Sequence, residues 1–150
     1  MIKYVALIAA VIGLLVAFGL ASWVNKQDDG NDRMREISGY IREGAFAFLK
    51  KEYKTMIIVI AALFIIIGLA INWTSAVLYV CGAALSVLAG FFGMNVATNG
   101  NVRTAAAAMN SGMPRALKVA FRSGAVMGLC VAGLGLFGLG AIVVLLDLAT

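Results

Sequence analysis

Uncharged runs alternate with charged ones along this chain, and the alternation is on the scale of helices that cross a membrane. Residues 4–24 carry no charge and end at Trp23, an aromatic suited to the membrane interface, just before the polar segment NKQDDGND. At a rise of 1.5 Å per residue, about 20 apolar residues cover a hydrocarbon core of about 30 Å. Residues 56–102 are also uncharged, too many for one span, so this run must turn back on itself. The polar cluster Asn72-Trp73-Thr74-Ser75 is the expected turn, dividing the run into spans 56–71 and 76–97. A fourth span is expected over 119–146. It begins on a basic stripe, Arg115, Lys118 and Arg122, which share one helix face, and is uncharged from Ser123.

The segment between the first two spans has a different period. Met34, Ile37, Ile41, Ala45, Phe48 and Leu49 recur at three- and four-residue steps, with Arg35, Glu36, Arg42, Glu43, Lys50 and Lys51 on other faces. This predicts an amphipathic helix over 32–54, lying on the membrane surface or on the polar ends of its neighbours, with Asp32 as its N-cap. Residues 98–113 are expected to form the next polar connection, a turn leading into a short alanine-rich helix, and Pro114 is expected to be the first residue of the following helix. Gly82, Ser86 and Gly90 make a small-residue stripe that can seat another helix. Gly124, Gly128, Gly133, Gly135, Gly138 and Gly140 let neighbours approach the last span closely. On that reading, Gly128→Leu should disturb packing and Val143→Leu should not.

Composition agrees with the pattern. With 63% hydrophobic and 13% charged residues among 150, there is too little polar surface to cover a water-soluble fold. The chain is therefore read as an all-α, multi-pass integral membrane protein of four transmembrane helices with membrane lipid around it. A cleaved leader is the competing reading of 4–24, but the apolar run is too long and Leu20-Ala21-Ser22-Trp23 is a poor cleavage site.

The net charge of +5 reads as topology rather than nucleic-acid binding. Of the 12 Lys and Arg residues, seven lie between Lys26 and Lys54, four between Arg103 and Arg122, and the last is Lys3. The positive-inside rule then places both basic connections in the cytoplasm and both termini outside, an N-out/C-out arrangement with the amphipathic helix on the cytosolic side.

Chemistry is sparse. Beyond Arg122 at the start of the fourth span, the only charged side chain read within or at the end of a span is Asp147, and polar ones are few, among them Ser86, Asn95 and Ser123. Asn95 is expected to bond a neighbouring helix near the cytosolic surface. Gly100-Asn101-Val102-Arg103-Thr104 could cradle an anion, but it lacks phosphate-loop spacing and reads as a structural turn. Cys81 and Cys130 differ in depth by roughly 9 Å at 1.5 Å per residue, so they read as buried thiols, not a disulfide. With no histidine and no nucleophile–base or carboxylate pair, no catalytic, cofactor-binding or metal residue is assigned. A small transporter would need a polar midplane site, and none is legible.

Three segments carry a family resemblance. Residues 41–53, IREGAFAFLKKEY, and 93–105, GMNVATNGNVRTA, resemble stretches near the start of the ion-pumping membrane pyrophosphatases, and 119–129, VAFRSGAVMGL, is similar to that family's fourth helix. Asn99-Gly100 departs from the usual pattern, where a basic or small helical residue is commoner. The resemblance implies an enzyme that hydrolyses pyrophosphate at a cytosolic magnesium site, pumps protons or sodium ions outward and works as a homodimer in a prokaryotic cell membrane. It also implies that this chain is a fragment. The family's aspartate-rich motifs and gate residues lie on later helices, so none can be placed here. The segment is then expected to be inactive alone, an outer-ring scaffold that packs against the remaining helices of the same protein. The alternative is a stand-alone four-helix subunit or anchor with no reaction of its own.

Overall fold

The computed structural model describes the backbone of residues 2–149 and the side chains of residues 4–144. Four helices follow one another: α1 (Ile2–Asn25), α2 (Asp32–Ala70), α3 (Trp73–Ser111) and α4 (Met113–Ala149). All four are long and apolar enough to cross a membrane. The chain is an all-α, multi-pass integral membrane protein. Asp147 lies outside the described side chains.

Two expected breaks are absent because long helices run through them. The amphipathic segment and the second span form one 39-residue helix, α2, and α3 also has 39 residues. At 1.5 Å per residue each is roughly 58 Å long, about twice the hydrocarbon thickness, so each projects well beyond it. The polar stretch from Thr98 onward is not a turn. Thr98, Arg103 and Thr104 bond backward to carbonyls three or four residues earlier, which suits polar side chains to a helix. Ala105 to Ala108 then supply the strongest helix former.

The real breaks are short. Asn31, not Asp32, caps α2; its side chain accepts from the Met34 N–H at 2.9 Å, leaving Asp32 in the first turn where its charge suits the helix dipole. Asn72 caps α3 by accepting from Ser75 N–H at 2.7 Å, so Trp73, Thr74 and Ser75 are already helical. Between α3 and α4 stands Gly112 alone, at φ 79° and ψ 178°, a conformation essentially restricted to glycine. Since α4 starts at Met113, Pro114 is its second residue, still among the N–H groups that lack a helical partner.

The helices pack as a row in the order α2, α3, α4, α1, with α1 also touching α3. Ala17, Val96, Val126 and Cys130 form the buried centre where α1, α3 and α4 meet. Glycines set the close approaches. A Cβ at Gly133 would meet the Leu14 Cγ at 2.8 Å, and one at Gly93 would meet the Met127 Cγ at 2.7 Å. Gly128, by contrast, faces open space within this chain, as does Gly82. Cys81 is exposed rather than buried, because its face of α3 opens onto the groove shared with α4.

Candidate functional site

The polar groups of this chain collect at the end of the row that holds the helix connections 26–31 and Gly112. The α1 C-terminus leaves carbonyls without helical donors. Two side chains supply them. Arg103, on α3, donates to Asn25 O at 3.2 Å while its other Nη donates to Asn99 O at 2.9 Å; Gln27 donates to Trp23 O at 2.9 Å. A guanidinium at a helix C-terminus is also favoured by the helix dipole. Gln27 in turn accepts from Arg115 of α4 at 2.8 Å. The Trp23 ring lies under two cations of α4, with the Arg122 guanidinium 4.0 Å and that of Arg115 5.7 Å from its centroid. Thus two members of the basic stripe of α4 grip the end of α1.

The connection 26–31 is fixed by its acidic residues. Asp28 accepts from Gly30 N–H at 3.0 Å and from the Asn110 amide of α3 at 3.2 Å. Arg35 reaches Asp29 at 3.0 Å, Asp32 at 3.2 Å and the Gly30 carbonyl at 2.9 Å. On the other side of α3, Arg42 of α2 donates to Asn95 at 3.2 Å and Asn99 at 3.3 Å, with its guanidinium 5.5 Å from the Phe46 centroid. Deeper in the row, the Tyr53 hydroxyl donates to Val87 O at 3.2 Å and the buried Ser123 hydroxyl donates to Val96 O at 3.3 Å. Arg103 Nε is buried without a partner among the described residues.

Asn95 therefore bonds a neighbouring helix, through Arg42. The segment Gly100 to Thr104 is helix and forms no anion cradle; a Cβ at Gly100 would meet the Ser123 Cβ at 2.7 Å. The bracing roles of Gln27, Asn99 and Arg103 were not legible in the sequence. Their partners are backbone carbonyls or lie on other helices, and the sole signal was a polar residue where a turn was expected. Among the described residues no group of three His, Cys, Asp or Glu side chains comes together as a metal site. What the arrangement does chemically is brace: Arg35, Arg42, Arg103 and Arg115 each donate to a carbonyl, amide or carboxylate of another turn or helix.

Two grooves flank the α3–α4 contact. One, about 590 Å³, is walled by small residues including Ala105, Ala108, Ala116 and Ala120. The other, about 710 Å³, is lined by Gly82, Ser86, Gly90, Gly135 and Gly138 among others; the stripe faces open space at Gly82, while a Cβ at Gly90 would meet the Tyr53 hydroxyl of α2 at 3.7 Å.

Residues 11–150 match the profile of the inorganic H+ pyrophosphatase family. The chain belongs to that family. Its relatives include a Clostridium tetani protein with the provisional name K(+)-stimulated pyrophosphate-energized sodium pump, 48% identical over 124 residues, covering 83% of this chain and 18% of the relative. A K(+)-insensitive pyrophosphate-energized proton pump of Methanosarcina mazei is 41% identical over 144 residues, covering 95% of this chain and 21% of the relative. The K(+)-stimulated pyrophosphate-energized sodium pump of Thermotoga maritima is 42% identical over 141 residues, 91% of this chain and 19% of the relative. The chain thus spans about a fifth of the length of these curated relatives.

Proposed function

We propose that this chain is the outer-ring scaffold of a pump that couples pyrophosphate hydrolysis to outward movement of protons or sodium ions. The observation that carries the reading is the row itself. It is braced along one polar end, while the small-residue grooves beside the α3–α4 contact are left open. A helix that expects no further neighbours has no use for a glycine face turned to empty space; further helices of the same protein are the natural occupants. Membership in the family supports the activity, and the share of its relatives' length that it covers supports placing the reaction elsewhere.

The basic end faces the cytoplasm on this reading, with both chain ends on the far side. There Arg103 would hold the end of α1 and Arg42 would hold α2 against α3, while Arg115 would tie α4 to the end of α1, so that helices seated in the grooves rest on a stiff wall. The family's magnesium does not fit the acidic residues of 26–36. Arg35 already neutralises Asp29 and Asp32, Arg33 pairs with Glu36 at 2.7 Å, and Asp28 is spent on Asn110 and Gly30. No step is routed through that ion here. A homodimer is the assembly proposed for the pump.

The stand-alone anchor is separated by assay. The 150-residue chain, purified in detergent, should release no phosphate from pyrophosphate with magnesium present, whereas the longer polypeptide that includes it should. Turnover by the 150-residue chain would place the reaction in these helices and overturn the scaffold reading. An inactive longer polypeptide would favour the anchor.

A further inference from the structure

Where α2 leaves the hydrocarbon layer, a groove of about 470 Å³ opens between α2 and α3. Its walls combine two chemistries. Phe46, Tyr53, Ile57 and Phe91 make it apolar, and Lys50 and Lys54 stand at its edge. The depth is set by sequence: Lys54 is the last charged residue before the uncharged run that begins at Met56, so the two ammonium groups lie at headgroup level and Ile57 reaches the acyl layer. Phe46 and Phe91 pack edge to face, with centroids 6.0 Å apart, and Tyr53 donates to Val87 O, so the groove's width is held by contacts that do not involve the lysines.

The lysines are left over. Both are exposed, neither enters an ion pair or hydrogen bond among the described residues, and at i and i+4 they repel one another. Two adjacent cations above an apolar slot match one ligand chemistry, a phosphate with an acyl chain attached. We propose that this groove binds an anionic phospholipid of the surrounding leaflet, its phosphate between Lys50 and Lys54 and an acyl chain along Ile57 and Phe91. Neutral lipid would fill the slot but leave the two like charges uncompensated.

The test uses the intact protein in membranes of phosphatidylcholine containing trace spin-labelled lipid, with the motionally restricted fraction read by electron paramagnetic resonance. Spin-labelled phosphatidylglycerol should be restricted several-fold more strongly than spin-labelled phosphatidylcholine. K50Q/K54Q should bring the ratio close to one, K50R/K54R should keep it, and K51Q, on another face of the same helix, should keep it as well. Equal restriction of the two lipids by the unaltered protein would overturn the proposal without recourse to any variant. So would an undiminished preference in K50Q/K54Q, an equal loss in K51Q, or displacement of the labelled lipid by millimolar inorganic phosphate, which would make the site one for free anions.

Discussion

Gly133 and Gly128 lie on one helix five residues apart, and the structure gives them opposite surroundings. A side chain at Gly133 would press on Leu14 and, at 3.4 Å, on the Ala10 carbonyl oxygen, which as backbone cannot swing away. Gly133→Leu should therefore destabilise the α1–α4 contact by about 1–3 kcal/mol, the usual cost of overpacking. Gly128→Leu enters open space within the chain and should cost little, as should Val143→Leu at an exposed position. Thermal unfolding of the three variants in detergent distinguishes them; a loss for Gly128→Leu as large as for Gly133→Leu would contradict the packing described. From sequence alone Gly128 was chosen as the critical position, since a glycine stripe shows that close approach is possible without showing which member is approached. The same holds for Cys81 and Cys130: both sit in apolar runs, yet only Cys130 is enclosed by the chain.

At the scale of helices, the uncharged runs identified all four spans, because the absence of charge over a bilayer's width is a constraint that few other folds impose. The ends of the helices were harder to see. Polar composition reports where the chain leaves the hydrocarbon, and was read as where the helix stops. These coincide at Asn72, whose side chain caps α3, but not at Thr98 or Lys54, where α3 and α2 run on without a break. A single glycine at Gly112 ends α3 instead. Arg103 ties these elements together by spanning two carbonyls, Asn99 O and Asn25 O, a task suited to a planar fork and beyond a single ammonium. Arg103→Lys should free the end of α1 at a cost of about 1.5–3 kcal/mol, the range for hydrogen bonds to charged groups. Amide hydrogen exchange should then rise at Val24 and Asn25 while the Asn72 turn is unaffected; unchanged protection at the α1 end would count against the brace.

For the whole molecule, the bracing contacts lie at one end of the row and the tight Asn72 turn at the other, so the wall is fixed at one rim. No residue of this chain was assigned to chemistry from the sequence. The structure gives Gln27, Arg42, Asn95, Asn99, Arg103, Asn110 and Arg115 a part in joining its helices and the 26–31 connection. The proposed scaffold reading carries one geometric expectation about the membrane: both basic connections on the inner face and the Asn72 turn on the outer one. Single cysteines placed at Arg35, Arg103 and Thr74, in a background with Cys81 and Cys130 replaced by alanine, test it in intact cells with a membrane-impermeant maleimide. The account predicts labelling at position 74 only. Labelling at 35 or 103 from outside, with 74 protected, would contradict it.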